Sequence, residues 1–228
     1  KTELGVFIAF IINSSVYGQY ILDNGAVILG SSGQIIASGV GDQSSCAYND
    51  SQNLVLVCYE TSGGGQTGKD IHCKEVVNLN GSPSVSNSPT IITANSEDQK
   101  NPYIYWSGHS FIIAWEDNRS PLTEESDIFF QEYKNGSTIM AIGGESLTEY
   151  EKKQAHPIIA KYSDTDNSYL IVWEDYRSTG KAFCANLYGQ SYISVSCPAV
   201  GDVNADGGWN VLDIVTLANC VLTQNCAD

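Results

Sequence analysis

Twelve residues, Asp202 to Asp213 in the run GDVNADGGWNVLD, space their side-chain oxygens as a wrapped divalent cation requires. Carboxylate or amide oxygens fall at positions one, three, five, nine and twelve: Asp202, Asn204, Asp206, Asn210 and Asp213. Gly207 stands at position six, where such a loop turns sharply, and Gly208 at seven can offer its backbone carbonyl. Calcium takes six to eight oxygens at roughly 2.3–2.6 Å, and one short segment supplies them here. Asp, Asn and Gly also build ordinary turns. Five oxygen positions in register, a glycine at six and the apolar stretch VLDIVTLANCVL behind them exceed what a turn needs. The expected cofactor is Ca2+, held by Asp202, Asn204, Asp206, Gly208, Asn210 and Asp213, with metal binding linked to folding of the segment.

Position twelve is Asp213, where an EF-hand carries a bidentate Glu. With GDVNADG and the helix-like stretch that follows, residues 197–228 resemble a dockerin repeat. That resemblance implies a secreted protein and a cohesin-like partner. Dockerins normally carry two loop–helix repeats and this chain shows one, so the expectation moves toward a calcium-ordered C-terminal cap or assembly element.

The rest of the chain is organised by an internal repeat, which is the first thing to look for in a sequence of this length. SFIIAWEDNRS (110–120) returns as SYLIVWEDYRS (168–178), so Trp115 and Trp173 lie 58 residues apart. NLVLVCYETS (53–62) puts Tyr59 and Glu60 in the Trp-Glu places, and GVFIAFIINSS (5–15) puts Phe10 there. A second element follows each copy, aligning Gln19, Lys74, Gln131 and Gln190 at spacings of 55, 57 and 59. The first element is a short apolar run closed by turn residues, as a buried central strand should be. The second alternates and tends to end in Asn-Gly, a hairpin signal. Weaker strands follow it (AVILG, PTIITAN, STIMAIG) and precede the next copy (SCAYND, YIYWSG, HPIIAKYSD). Four strands per unit of roughly 50–58 residues read as an all-β, propeller-like array of about four antiparallel four-stranded repeats. The pattern is similar to secreted bacterial propeller-like repeats with WEDxR followed by DIYGQ, over residues 4–196. The expected organisation is a repeat domain at 1–196 and a calcium loop and helix at 197–228.

Composition narrows the partners. Eleven basic against 26 acidic residues give a formal net charge of −15. Phosphate backbones are bound through Lys and Arg, so nucleic acid is excluded as a partner. No apolar run is long enough for a membrane span. Seven cysteines without a CxxC pair favour disulfides in an oxidising compartment over zinc. Cys46 and Cys58 flank a strand–turn–strand stretch and form one candidate bridge; Cys197, Cys220 and Cys226 bracket the calcium loop and supply another. Five Asn-x-Ser sequons, at Asn13, Asn49, Asn80, Asn118 and Asn135, fit an exported chain. No signal peptide is recognised, so a processed or mature piece of a longer precursor is expected.

Catalytic signals are thin. No GxSxG elbow, HExxH or P-loop is present. Adjacent Glu116 and Asp117 point to opposite faces of a strand and would not flank one bond. LTEESD (122–127) reads as a solvated loop, and His72, His109 and His156 show no consistent partner spacing. Because WEDxR recurs, Asp117 with Arg119 and Asp175 with Arg177 are expected to tie strand-end turns rather than to react. The first unit begins at its second strand, which motivates strand addition or self-assembly by a neighbouring copy. The resulting expectation is a non-enzymatic extracellular structural or adhesive module, a filament subunit in its fullest form. The alternative is a carbohydrate-binding or carbohydrate-active propeller carried into a secreted complex by its dockerin-like tail.

Overall fold

The structure is a computed structural model that describes residues 5–39, 43–62, 68–79, 81–119, 125–163, 168–177, 185–193 and 215. The chain divides into a unit Lys1–Ile193 and a unit Ser194–Asp228, of which only Val215 is among the described residues. The calcium loop, the helix expected behind it and the bridge expected among Cys197, Cys220 and Cys226 all lie outside the described residues.

The first unit is built of antiparallel strands in four consecutive sheets. The first sheet holds β1 (Gly5–Ile12), β2 (Ser15–Leu22) and β3 (Gln34–Ala37). The second holds β4 (Ser44–Asn49), β5 (Leu54–Ser62), β6 (Lys69–Val77) and the short β7 (Ser84–Val85) and β8 (Thr90–Ile91). The third repeats that plan with β9 (Gln99–Trp106), β10 (Phe111–Asp117), β11 (Asp127–Lys134), β12 (Ser137–Thr138) and β13 (Glu145–Ser146). The fourth holds β14 (Gln154–Lys161), β15 (Ser168–Asp175) and β16 (Asn186–Ile193). The all-β class and the strand meander match the sequence reading. Closure into a propeller ring is not shown. Among the described residues no helix is long and apolar enough to cross a membrane.

One correction concerns the last strand of each unit. In the second and third sheets it is split into two short pieces, β7 and β8 on β6, and β12 and β13 on β11. Ser86 to Pro89 interrupts the first pair, and a loop ending in Gly143-Gly144 interrupts the second. Gly144 has φ +63° and lies so close to Phe130 O and the Trp115 ring that any Cβ would collide with both. The chain must leave the ladder there to let Trp115 in.

Side-chain parity explains the continuous apolar runs. On β5, Val55, Val57 and Tyr59 face the first sheet while Leu54, Leu56 and Cys58 face the third. On β10, Phe111, Ile113 and Trp115 face the second sheet while Ile112 and Ala114 face the fourth. Successive residues on a strand point to opposite faces, so a strand covered on both sides must be apolar throughout. Three cores result, one between each pair of consecutive sheets. Each large side chain so buried contributes about 1.5–3 kcal/mol.

The same parity overturns the Cys46–Cys58 bridge. Cys58 is bonded to Cys73, directly opposite it across β5 and β6 with Cα atoms 4.0 Å apart. Cys46 sits opposite Val57 and faces the first sheet, away from Cys58, and its thiol is free. Burial pushes that thiol up from its ordinary pKa, with a backbone hydrogen bond to Ala9 acting against it.

Candidate functional site

The WEDxR residues form a closed hydrogen-bonded unit at the end of β10. Asp117, fully buried, accepts the Trp115 indole N–H at 2.8 Å and the Arg119 Nε–H at 2.9 Å on Oδ2, and the Arg119 backbone N–H at 2.9 Å on Oδ1. The other arm of the Arg119 fork donates to Gly143 O, and the guanidinium lies 4.2 Å over Phe129. Trp173, Asp175 and Arg177 repeat the unit at the end of β15, with Trp173 Nε1 3.1 Å from Asp175. There Arg177 stacks on Tyr150 and Tyr188 instead. Burial alone would raise the Asp175 pKa; the Arg177 hydrogen bonds and charge and the Trp173 bond outweigh it and leave the carboxyl below its ordinary value. Both units are turn ties, as the sequence implied.

The aligned glutamines have a structural task too. Gln19 and Gln131 each accept two backbone N–H groups on Oε1, and donate from Nε2 to Gly30 O and to Ala141 O respectively. They hold the connection to the last strand of their sheets. A further repeated pair, missed in the sequence, is Asp70 with Thr93 and Asp127 with Thr148. In each, the threonine hydroxyl accepts a backbone N–H and the aspartate accepts another.

The glutamates of the motif do something the sequence reading did not foresee. Glu60 accepts the backbone N–H of Asn101 at 2.9 Å and the Lys69 ammonium at 2.7 Å. Glu116 accepts the Asn101 side-chain amide at 2.7 Å and the backbone N–H of His156 at 2.9 Å. The His156 ring in turn reaches Glu174 Oε2 at 3.2 Å, which also accepts the Tyr176 hydroxyl at 3.1 Å. A line thus runs Glu60, Asn101, Glu116, His156, Glu174 across the second, third and fourth sheets. Asn101 and His156 sit at strand irregularities with φ of 53° and 52°. Left-handed backbone is uncommon for residues other than glycine, though Asn and His are enriched there. The hydrogen bond from His156, ahead of those from Tyr176 and the charges of His156 and Lys153, holds Glu174 below the ordinary carboxylate range against a desolvation cost. A readable signal existed: Gln99-x-Asn101-Pro102 returns as Gln154-x-His156-Pro157, 55 residues on.

At the opposite end of β5 and β10, a cleft of about 160 Å³ opens between the β4–β5, β9–β10 and β11–β12 turns. Trp106 and Phe111, ring centroids 4.7 Å apart, form its apolar wall. Glu75, Gln52 and Lys134 form its polar rim. Of the three histidines, His109 lies here, with Nε2 2.7 Å from Lys134 Nζ.

The residues expected to hold calcium, Asp202, Asn204, Asp206, Gly208, Asn210 and Asp213, lie outside the described residues. Among the described residues no group of three or more His, Cys, Asp and Glu is placed to hold a metal ion.

No family model matches the sequence, and no curated protein matches it. Solved structures with a similar backbone course include a BT0996 RGII complex, with TM-score 0.46 and 10% identity over 83% of this protein and 70% of that one. Another is the endo-arabinase from Bacteroides thetaiotaomicron VPI-5482, with TM-score 0.41 and 11% identity over 82% of this protein and 74% of that one.

Proposed function

We propose that the protein is an extracellular structural or adhesive module that assembles by continuing its own stack of sheets, with Ca2+ ordering residues 197–228. The observation that carries this is the pair of sheet faces left open in the first unit. At every internal seam, residues in register with Phe111, Ile113 and Trp115 face the preceding sheet, and those between them face the following one. On β1 the backward-facing set is Val6, Ile8 and Phe10, in a sheet with no sheet before it among the described residues; Val6 is 63% and Ile8 42% exposed. On β15 the forward-facing set is Leu170 and Val172, with Ile158 beside them and Leu187 77% exposed on β16. Among the described residues, one backward face and one forward face are therefore not covered by another sheet.

Contiguous exposed apolar patches mark interaction sites. Joining the forward face of one copy to the backward face of the next would repeat a seam the protein already makes three times. Such a head-to-tail contact is heterologous, and it builds a filament where the rotation from copy to copy does not close a ring. The Cys58–Cys73 bridge fits an oxidising compartment.

Light scattering and electron microscopy with calcium test the reading. Linear, concentration-dependent oligomers that Ile8→Asp and Leu187→Asp each reduce to monomers are expected; a monodisperse monomer at high concentration sinks it. Calorimetric titration should show calcium uptake that Asp202→Ala and Asp206→Ala abolish, and no heat in the wild type removes the metal from the proposal.

The carbohydrate-active alternative is favoured by one observation, His156 held between the carboxylates of Glu116 and Glu174. Hydrolysis of a polysaccharide that Glu116→Gln and Glu174→Gln both abolish would install it.

A further inference from the structure

We infer that the cleft between the second and third sheets binds a single sugar unit. Unlike the turn ties, this cleft is not a repeated device. Trp106 ends β9, and the residue at its place on β14 is Lys161. Glu75 ends up in the cleft, whereas its repeat equivalent Glu132 is buried and accepts the Ser110 hydroxyl at 2.7 Å. A set of side chains present at one seam only is what a binding site requires and what scaffold maintenance does not.

The chemistry matches a polyhydroxylated ring. Phe111 supports Trp106 from the core side, so the half-buried indole is held in place and its uncovered part forms the cleft wall. An amphipathic aromatic surface of this kind suits the C–H face of a sugar. Glu75 Oε1 accepts the Tyr133 hydroxyl at 2.8 Å, which fixes the carboxylate and leaves Oε2 to accept a ligand hydroxyl. Burial first, then the Glu75 contact, raise the Tyr133 pKa far above its ordinary value, so the phenol keeps its proton and goes on donating. On the other side, Gln52 has its amide oxygen fixed by Asn49 at 2.9 Å, leaving amide N–H groups to donate. The Lys134 ammonium adds further donors. Acceptor, donors and apolar wall converge on a volume well below the ~300–1,000 Å³ of pockets that enclose drug-sized ligands, which limits the occupant to about one ring.

The test is a titration of the full-length protein with glucose, galactose, mannose, xylose and arabinose, followed by the indole N–H resonances. A saturable shift of the Trp106 resonance with at least one sugar is expected, while buried Trp115 and Trp173 stay unmoved and report an intact fold. Gln52→Ala, at an exposed position, and Glu75→Gln should each weaken binding about tenfold, and Trp106→Ala, followed by calorimetric titration because it removes the reporting indole, should abolish it. No shift with any of the five sugars, or binding that survives all three substitutions, overturns the inference. The result is independent of oligomeric state, so it stands or falls apart from the assembly reading.

Discussion

Glu116, at the end of β10, accepts the backbone N–H of His156 on β14, so a carboxylate of the third sheet holds the strained backbone of the fourth. The contact is 2.9 Å long, and Glu116 is buried. Glu60 makes the corresponding bond to Asn101 one seam earlier. Sheet-to-sheet registration thus rests on a polar clasp as well as on apolar packing.

Glu116→Ala leaves that N–H and the Asn101 amide without their acceptor. A buried unsatisfied donor costs about 1–3 kcal/mol; both bonds here are part-buried, so a loss toward the lower end of that range, read as a fall in melting temperature, is expected. His156→Gly should recover part of the loss by removing the cost of a left-handed non-glycine backbone, which is about 1 kcal/mol. Differential scanning calorimetry of the two single variants and the double variant measures both terms.

Arg119→Met strands the fully buried Asp117 carboxylate and also frees Gly143 O. Removing one partner of a buried pair costs about 3–5 kcal/mol, somewhat less here because the guanidinium is partly exposed. Arg119→Lys should rescue little, since an ammonium cannot reproduce the fork. Arg177→Met should cost less than Arg119→Met, since among the described residues its guanidinium holds no carbonyl corresponding to Gly143 O. Urea unfolding ranks the three.

Stability should fall in acid through Glu174. Its folded pKa is depressed, chiefly by the His156 hydrogen bond. The unfolded state therefore takes up the proton first, so the contribution is fully present above the ordinary glutamate value and lost as pH drops through the folded value. Melting temperature against pH should show this acid-side loss, and Glu174→Gln should flatten it.

Reducing the Cys58–Cys73 bridge frees a loop defined by a separation of 15 residues. The chain-entropy account puts the loss near ~3 kcal/mol. Melting with and without reductant should differ accordingly, whereas Cys46→Ser should leave both curves in the same order. A maleimide should label Cys46 slowly in the folded protein, because burial holds its thiol protonated.

The sheets and the turn ties were legible because their signals are local. Trp115, Asp117 and Arg119 bond within five residues of one another, and Gln131 bonds to a strand connection close behind it. For the glutamate line, the recurrence of Gln-x-Asn-Pro as Gln-x-His-Pro marks where the left-handed residues fall but not their acceptor, because Glu116 and His156 are 40 residues apart and meet through a backbone N–H. A main-chain donor leaves no residue type to read. The disulfide was misread for a different reason: spacing brings Cys46 near Cys58, but only register and parity show that the two face opposite cores.

The two-sided strands β5 and β10 carry a consequence for how the fold comes apart. Among the described residues each sheet packs on its predecessor and its successor, so stability adds along a line, as in other repeat arrays. The second and third sheets are clasped on both sides; the first and fourth are clasped on one. Amide hydrogen exchange should therefore be slowest on β5 and β10 and fastest on β1 and β16. Copies joined end to end would gain protection at those two strands first, so fraying of the free ends and growth of an assembly are opposite directions of one equilibrium.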